Sequence, residues 1–192
     1  MLGDCGTNMA MAGRPLRKTP RPLDPAALEE LTLNYVGRFA TSRSKLLAYM
    51  GRKLRERGWA GESEPPLQDL ADRMVRLGYV DDRAFALSKA RSLTGRGYGG
   101  RRVRQALALA GIDEIESGVA RDLVEAEAVN AALRFAKRRS LGPYSLQEPD
   151  RDQRERALAA MMRAGHGYAL ARAIIDLKPG ENPDSEMLFN LR

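Results

Sequence analysis

Three glycines constrain how this chain can fold. Gly58, Gly111 and Gly165 are spaced 53 and 54 residues apart, and each closes the same kind of run. Leu54, Leu107 and Met161 stand four residues before them, and Met50, Val103 and Ala157 stand one helical turn earlier on the same face. Helical segments precede each run, at about 25–39, 81–94 and 125–140. Others follow, over Leu67–Leu77, Val119–Val124 and Ala169–Leu177. A period near 50 residues marks an array whose units are each too small to bury their apolar faces alone. The expected fold is therefore all-α: three tandem three-helix units forming an elongated, curved array. The units span 24–78, 79–124 and 125–178, between a disordered basic tail at 1–23 and a frayed C-terminal tail at 179–192.

Local signals agree with this reading. Asp24-Pro25 supplies an N-cap and a proline fitted to the first helical position. Ser42 or Ser44 caps a second helix that carries Leu46, Leu47, Met50 and Leu54 and ends at Gly58. Leu67, Leu70, Met74 and Leu77 form a third stripe, stopped by Gly78. A fourth helix starts at Asp81, and Gly95, Gly97, Gly99 and Gly100 read as a flexible hinge before a fifth. Between 113 and 140 Gly118 is the only internal breaker, so one long helix and two shorter ones both fit. Residues 141–150 read as a loop. In the N-terminal tail, Met9 and Met11 leave the start position open.

Several function classes lose their footing. A single cysteine, Cys5, excludes an intramolecular disulfide and a multi-cysteine zinc site, and fits a reducing cytoplasm. Nothing approaches the roughly 20 apolar residues of a membrane span. His166 is the only histidine, so a histidine-based catalytic device would rest on one residue in a turn. A half-covered contact between helices is the simpler role for it. The glycine cluster at 95–100 follows no strand, as a dinucleotide fingerprint requires, and no Walker-type phosphate loop is present. Asp81-Asp82 sits where a helix begins, which favours capping over acid–base chemistry. No enzyme, cofactor or metal is expected.

What remains is the placement of cations in a chain of net charge +7. Lys45, Arg52 and Arg55 project away from the Met50 face, with Arg43 and Arg57 at the helix ends. Arg101, Arg102 and Arg104 surround Val103, Arg96 precedes them, and Lys137, Arg138 and Arg139 end another helix. These could be ordinary solvated faces, or a stripe suited to phosphates or to an acidic protein groove. The sparseness of acids in the second and fifth helices favours the stripe.

Gly78-Tyr79-Val80-Asp81-Asp82-Arg83-Ala84-Phe85-Ala86 resembles the signature of the RecX family. Gly97, then Arg102-Val103-Arg104-Gln105-Ala106-Leu107 and Gly111-Ile112, follow at the family's spacing, and Leu54-Arg55-Glu56-Arg57-Gly58-Trp59 is similar to its first-repeat counterpart. The resemblance covers about 40–178. The third unit departs from the pattern, with Ala164-Gly165-His166-Gly167-Tyr168 where an aromatic normally follows the glycine. Membership implies a monomeric cytoplasmic regulator of DNA repair and the SOS response. Such a protein binds the RecA filament, mainly inhibits its recombinase, ATPase and co-protease activities, and touches single- or double-stranded DNA weakly and without sequence preference. A sequence-selective DNA binder and an adaptor independent of nucleic acid remain the alternatives. On the residues themselves, Gly78, Tyr79, Asp81, Asp82, Phe85, Gly111 and Ile112 read as a structural junction, with Tyr79 and Phe85 packing around the capped helix start. The contact candidates are the outward cations.

Overall fold

Among the described residues, five of the helices start where a side chain accepts the first free amide hydrogens. The computed structural model describes residues 21–191, and the described residues form ten α-helices and one short 3-10 turn. Asp24 accepts from Ala27 N at 2.8 Å and opens α1 (Pro25–Val36). Ser42, rather than Ser44, accepts from Lys45 N and opens α2 (Arg43–Arg57). With α3 (Leu67–Arg76) these build a core around Leu28, Leu46, Met50 and Met74. Leu23 is fully buried in the same core. Its N–H donates to Gly58 O at 3.0 Å and its carbonyl accepts from Ala60 N at 2.8 Å. Leu23 is thus part of the fold and not of the tail expected over 1–23; residues 1–20 of that tail lie outside the described residues.

Asp81 accepts from Ala84 N at 2.9 Å and starts α4 (Asp82–Gly95). This helix packs on α5 (Gly100–Ala108) and α6 (Gly118–Ala126) around Ala86, Ala90, Val103 and Leu107. Only Glu127 separates α6 from α7 (Ala128–Arg138), so the two-helix alternative holds. The break has a packing reason: Val124 belongs to the second core and Val129, five residues on, to the third. A 3-10 turn (Gly142–Tyr144) leads to α8 (Arg151–Arg163), opened by a capping box between Asp150 and Gln153, and to α9 (Tyr168–Asp176). The expectation that 179–192 frays is overturned. Asp184 accepts from Glu186 N and Met187 N and starts α10 (Ser185–Phe189), whose Leu188 is fully buried in the third core. Met187, Leu188 and Phe189 are three consecutive apolar residues in a five-residue helix and show no period, and so the sequence hid it.

The three cores are joined by the same device used twice. At the first joint the N-cap Ser42 donates through its hydroxyl to Ala110 O at 2.5 Å, and Arg43 N donates to Asp82 Oδ1 at 2.8 Å. Gly111 lies directly against the Ser44 side chain, with φ +69°, and Ile112 is buried. Burial at this joint pushes the Asp82 carboxyl above its ordinary value, against the opposing pull of the Arg43 N–H. The signature segment therefore lies at this junction, with one revision. Val80 is the buried residue before the cap, while Tyr79 is 53% exposed.

At the second joint the N-cap Gly99 donates to Ala164 O at 2.9 Å, and Arg101 N donates to Gly165 O at 3.1 Å. Ala110 and Ala164 each precede a repeat glycine, so the pairing is equivalent. A Cβ on Gly99 would stand 2.5 Å from His166 N, and one on Gly97 would stand 2.9 Å from Phe135 N. The segment expected to be a flexible hinge is instead clamped between units. Gly97 and Gly99 are glycines because no side chain fits there, whereas Gly95 has open space around it.

A candidate polyanion-binding groove

Beside this second joint runs a groove of about 390 Å³ lined chiefly by Tyr98, Arg102, Phe135, Arg138, Arg139 and Arg163. Three features of the local sequence bring the four guanidiniums together. Arg102 lies in the first turn of α5, just after the clamped glycines. Arg138 and the C-cap Arg139 end α7, and Arg163 ends α8. Cations at helix C-termini are favoured by the partial negative charge of the last carbonyls. Tyr98 packs against both the second and the third core and so fixes the groove's floor to the joint.

Three of the four groove arginines are oriented by neighbours. The Arg138 and Arg139 guanidiniums stand 5.5 and 5.9 Å from the Phe135 ring centroid, and Arg96 stands 5.6 Å from that of Tyr98. Arg138 Nη1 also donates to Arg96 O, across the joint. Arg102 Nη1 donates to Gln105 Oε1 at 3.1 Å. No carboxylate lines the groove, and among the described residues none of Arg96, Arg102, Arg138, Arg139 and Arg163 forms an ion pair. Planar guanidiniums with spare donors suit bidentate contact with phosphate or carboxylate. The half-buried Tyr98 ring at the same place suits a flat base, while Phe135 is buried beneath the arginines. The arrangement can bind an anion; it offers no group positioned for covalent chemistry.

The other expected contact residues separate from this cluster. Lys45 stands 5.2 Å from the Phe85 ring centroid, at the first joint. Arg52 pairs with Glu56 at 3.6 Å and lies 5.4 Å from the Tyr49 ring centroid. Arg55 and Lys137 are exposed, and Arg104 borders a different cavity. Arg101 takes part in the joint: its Nη2 donates to His166 O at 2.7 Å. Adjacent arginines on α5 thus do different jobs because they are about 100° apart around the helix. Sequence reading missed Arg163. It lies in the last turn of α8, where a basic residue is an available signal, but its place in the repeat corresponds to Leu109 and gives none.

His166 is 2% exposed, and its Nε2 donates to Gly97 O at 3.1 Å. Burial, more than the opposing hydrogen bond, lowers its pKa to about 4, and Arg101 adds to the lowering. The ring is neutral at physiological pH and committed to the joint. Among the described residues no group of His, Cys, Asp and Glu side chains could hold a metal ion. No helix of the described residues is long and apolar enough to cross a membrane.

Residues 81–115 match the family described as RecX, second three-helix domain. The chain is 33% identical to a "Regulatory protein RecX" of Myxococcus xanthus (strain DK1622), over 84% of this chain and 91% of that protein. It is 30% identical to one of the same name from Mycobacterium sp. (strain JLS), over 81% of this chain and 84% of that protein. Its fold is similar to the crystal structure of RecX from Lactobacillus salivarius, with a TM-score of 0.57 at 18% identity, covering 78% of this chain and 93% of that one. A second crystal structure, of a regulatory protein RecX, aligns with a TM-score of 0.54 at 20% identity, over 79% of this chain and 70% of that one.

Proposed function

This chain belongs to the RecX family, and from that premise we propose that it is a cytoplasmic, non-catalytic regulator that binds the RecA nucleoprotein filament and restrains its activities. The observation that carries the contact is the groove at the second joint, where Arg102, Arg138, Arg139 and Arg163 meet with no lining carboxylate. A filament of protein on DNA presents polyanionic surface along its length. Such a surface favours a partner whose cations are gathered in one place over one whose cations are scattered. The groove reads charge and not sequence. None of its walls is a free helix face of the kind that enters a major groove and reads base edges.

A tandem array also suits this target. Weak contacts on successive units, including Arg55 on the first and the groove between the second and third, act together when held on one chain. Co-sedimentation with RecA filaments tests this reading. Arg139→Glu/Arg163→Glu removes two cations and adds two anions in the groove without touching the Arg138 bond across the joint, and is expected to weaken binding at least tenfold while leaving the melting temperature within a few degrees. Arg101→Ala should lower the melting temperature instead, because it loosens the joint. Unchanged co-sedimentation of the Arg139→Glu/Arg163→Glu variant would overturn the groove as the contact.

A further inference from the structure

A second cavity, of about 470 Å³, also adjoins the joint between the second and third units, but shares no arginine with the groove. Its apolar wall comes from Val103 and Leu107 on α5, Ala120 and Val124 on α6, and Leu170 on α9. Those side chains are the inner faces of two different cores. The cavity is half open to solvent, and three arginines border it: Arg101, Arg104 and Arg121, against the single acid Glu125. Arg101 Nη2 is held by His166 O at 2.7 Å, and Arg121 Nη2 by Glu114 O at 3.2 Å. Arg104 makes no hydrogen bond or ion pair among the described residues.

Unfilled apolar space between packed layers forfeits dispersion contacts on the residues around it. Its volume falls within the roughly 300–1,000 Å³ range of pockets that take specific ligands. The charge at its mouth selects against a cationic or purely apolar occupant. We propose that this cavity receives one large apolar side chain from an acidic segment of a protein partner. Carboxylates beside that side chain meet Arg104 first, and Arg101 and Arg121 next. The occupant touches α5 and α6 of the second unit and the Gly165–Leu170 segment of the third. Filling the cavity therefore ties the two units together and fixes the angle between them.

The test uses the full chain and a fluorescein-labelled heptapeptide with a central phenylalanine between two runs of aspartate, followed by fluorescence anisotropy. A control peptide carries glycine in place of phenylalanine. The expected result is micromolar binding of the first peptide, with the control at least tenfold weaker. Arg104→Glu, on the exposed rim, is expected to weaken the phenylalanine peptide at least tenfold without changing the melting temperature. Ala120→Phe, which fills the cavity from its own wall, should abolish the difference between the two peptides. If that variant does not fold, Arg104→Glu/Arg121→Glu takes its place and should lose binding of the phenylalanine peptide. Equal binding of both peptides, no binding at millimolar concentration, or no effect of Arg104→Glu would overturn the proposal. The assay contains no recombinase, so its failure is separate from any failure of the filament reading.

Discussion

Replacing Gly99 by alanine isolates what holds the second and third units together. Gly99 has φ −84° and ψ 172°, a conformation that alanine adopts freely, so the substitution brings no backbone strain. The added methyl instead meets backbone: 2.5 Å from His166 N and closer still to the Gly165 carbonyl. Backbone cannot rotate away as a side chain can, so the units must move apart by about 1 Å. That movement stretches the hydrogen bonds from Gly99 N to Ala164 O and from Arg101 N to Gly165 O. Each is worth about 1 kcal/mol net, and the overlap costs a further 1–3 kcal/mol or so. The expected loss is about 3–5 kcal/mol, or a fall in Tm of about 10 °C for a chain of this length. Gly100→Ala is the matched control. Gly100 is the first residue of α5, and its methyl meets the Val124 side chain at 3.1 Å, which can give, so little loss is expected. Thermal melts followed by circular dichroism should separate the two variants clearly. Amide exchange at Arg101 should be faster in Gly99→Ala. Equal melting of the two variants would refute the clamped joint.

Two further outcomes follow from buried groups. His166 is held neutral, with a pKa of about 4 against an ordinary 6.5, so the unfolded chain takes up its proton first as pH falls. Its stability contribution is complete above pH 6.5 and lost on the way down to pH 4, by about 3 kcal/mol. Urea titrations across that window should show a fall in wild type that is flatter in His166→Gln, and parallel slopes would contradict the assignment. Leu188→Ala should cost about 3 kcal/mol, as for a fully buried leucine; a cost near zero in urea denaturation would return the C-terminal segment to a frayed tail.

Much of the fold could be read from caps and glycines. Asp24, Ser42 and Asp81 all accept the expected amide hydrogens, and Gly58, Gly78, Gly111 and Gly165 all take positive φ at helix ends. These are local effects, decided by residues a few positions apart. What escaped the sequence depends on neighbours distant along the chain. Gly97 and Gly99 have the composition of a hinge, and only the closeness of Phe135 and Gly165 makes them a clamp. Arg101 and Arg102 are chemically identical, yet one is hydrogen-bonded across the joint and the other lines the groove. Arg163 joined the site from a unit whose basic residues showed no stripe. The signature residues bear on the first joint through Asp82 and Gly111, whereas the candidate groove lies at the second, where the repeat itself departs from its own pattern at His166.

The measurement that bears most directly on the proposed regulation is RecA's DNA-dependent ATPase across a titration of the purified protein. Wild type should inhibit at amounts well below one per recombinase protomer, and Arg139→Glu/Arg163→Glu should inhibit only at far higher amounts, if at all. A flat response to wild type at every ratio, or equal inhibition by the groove variant, would contradict the account.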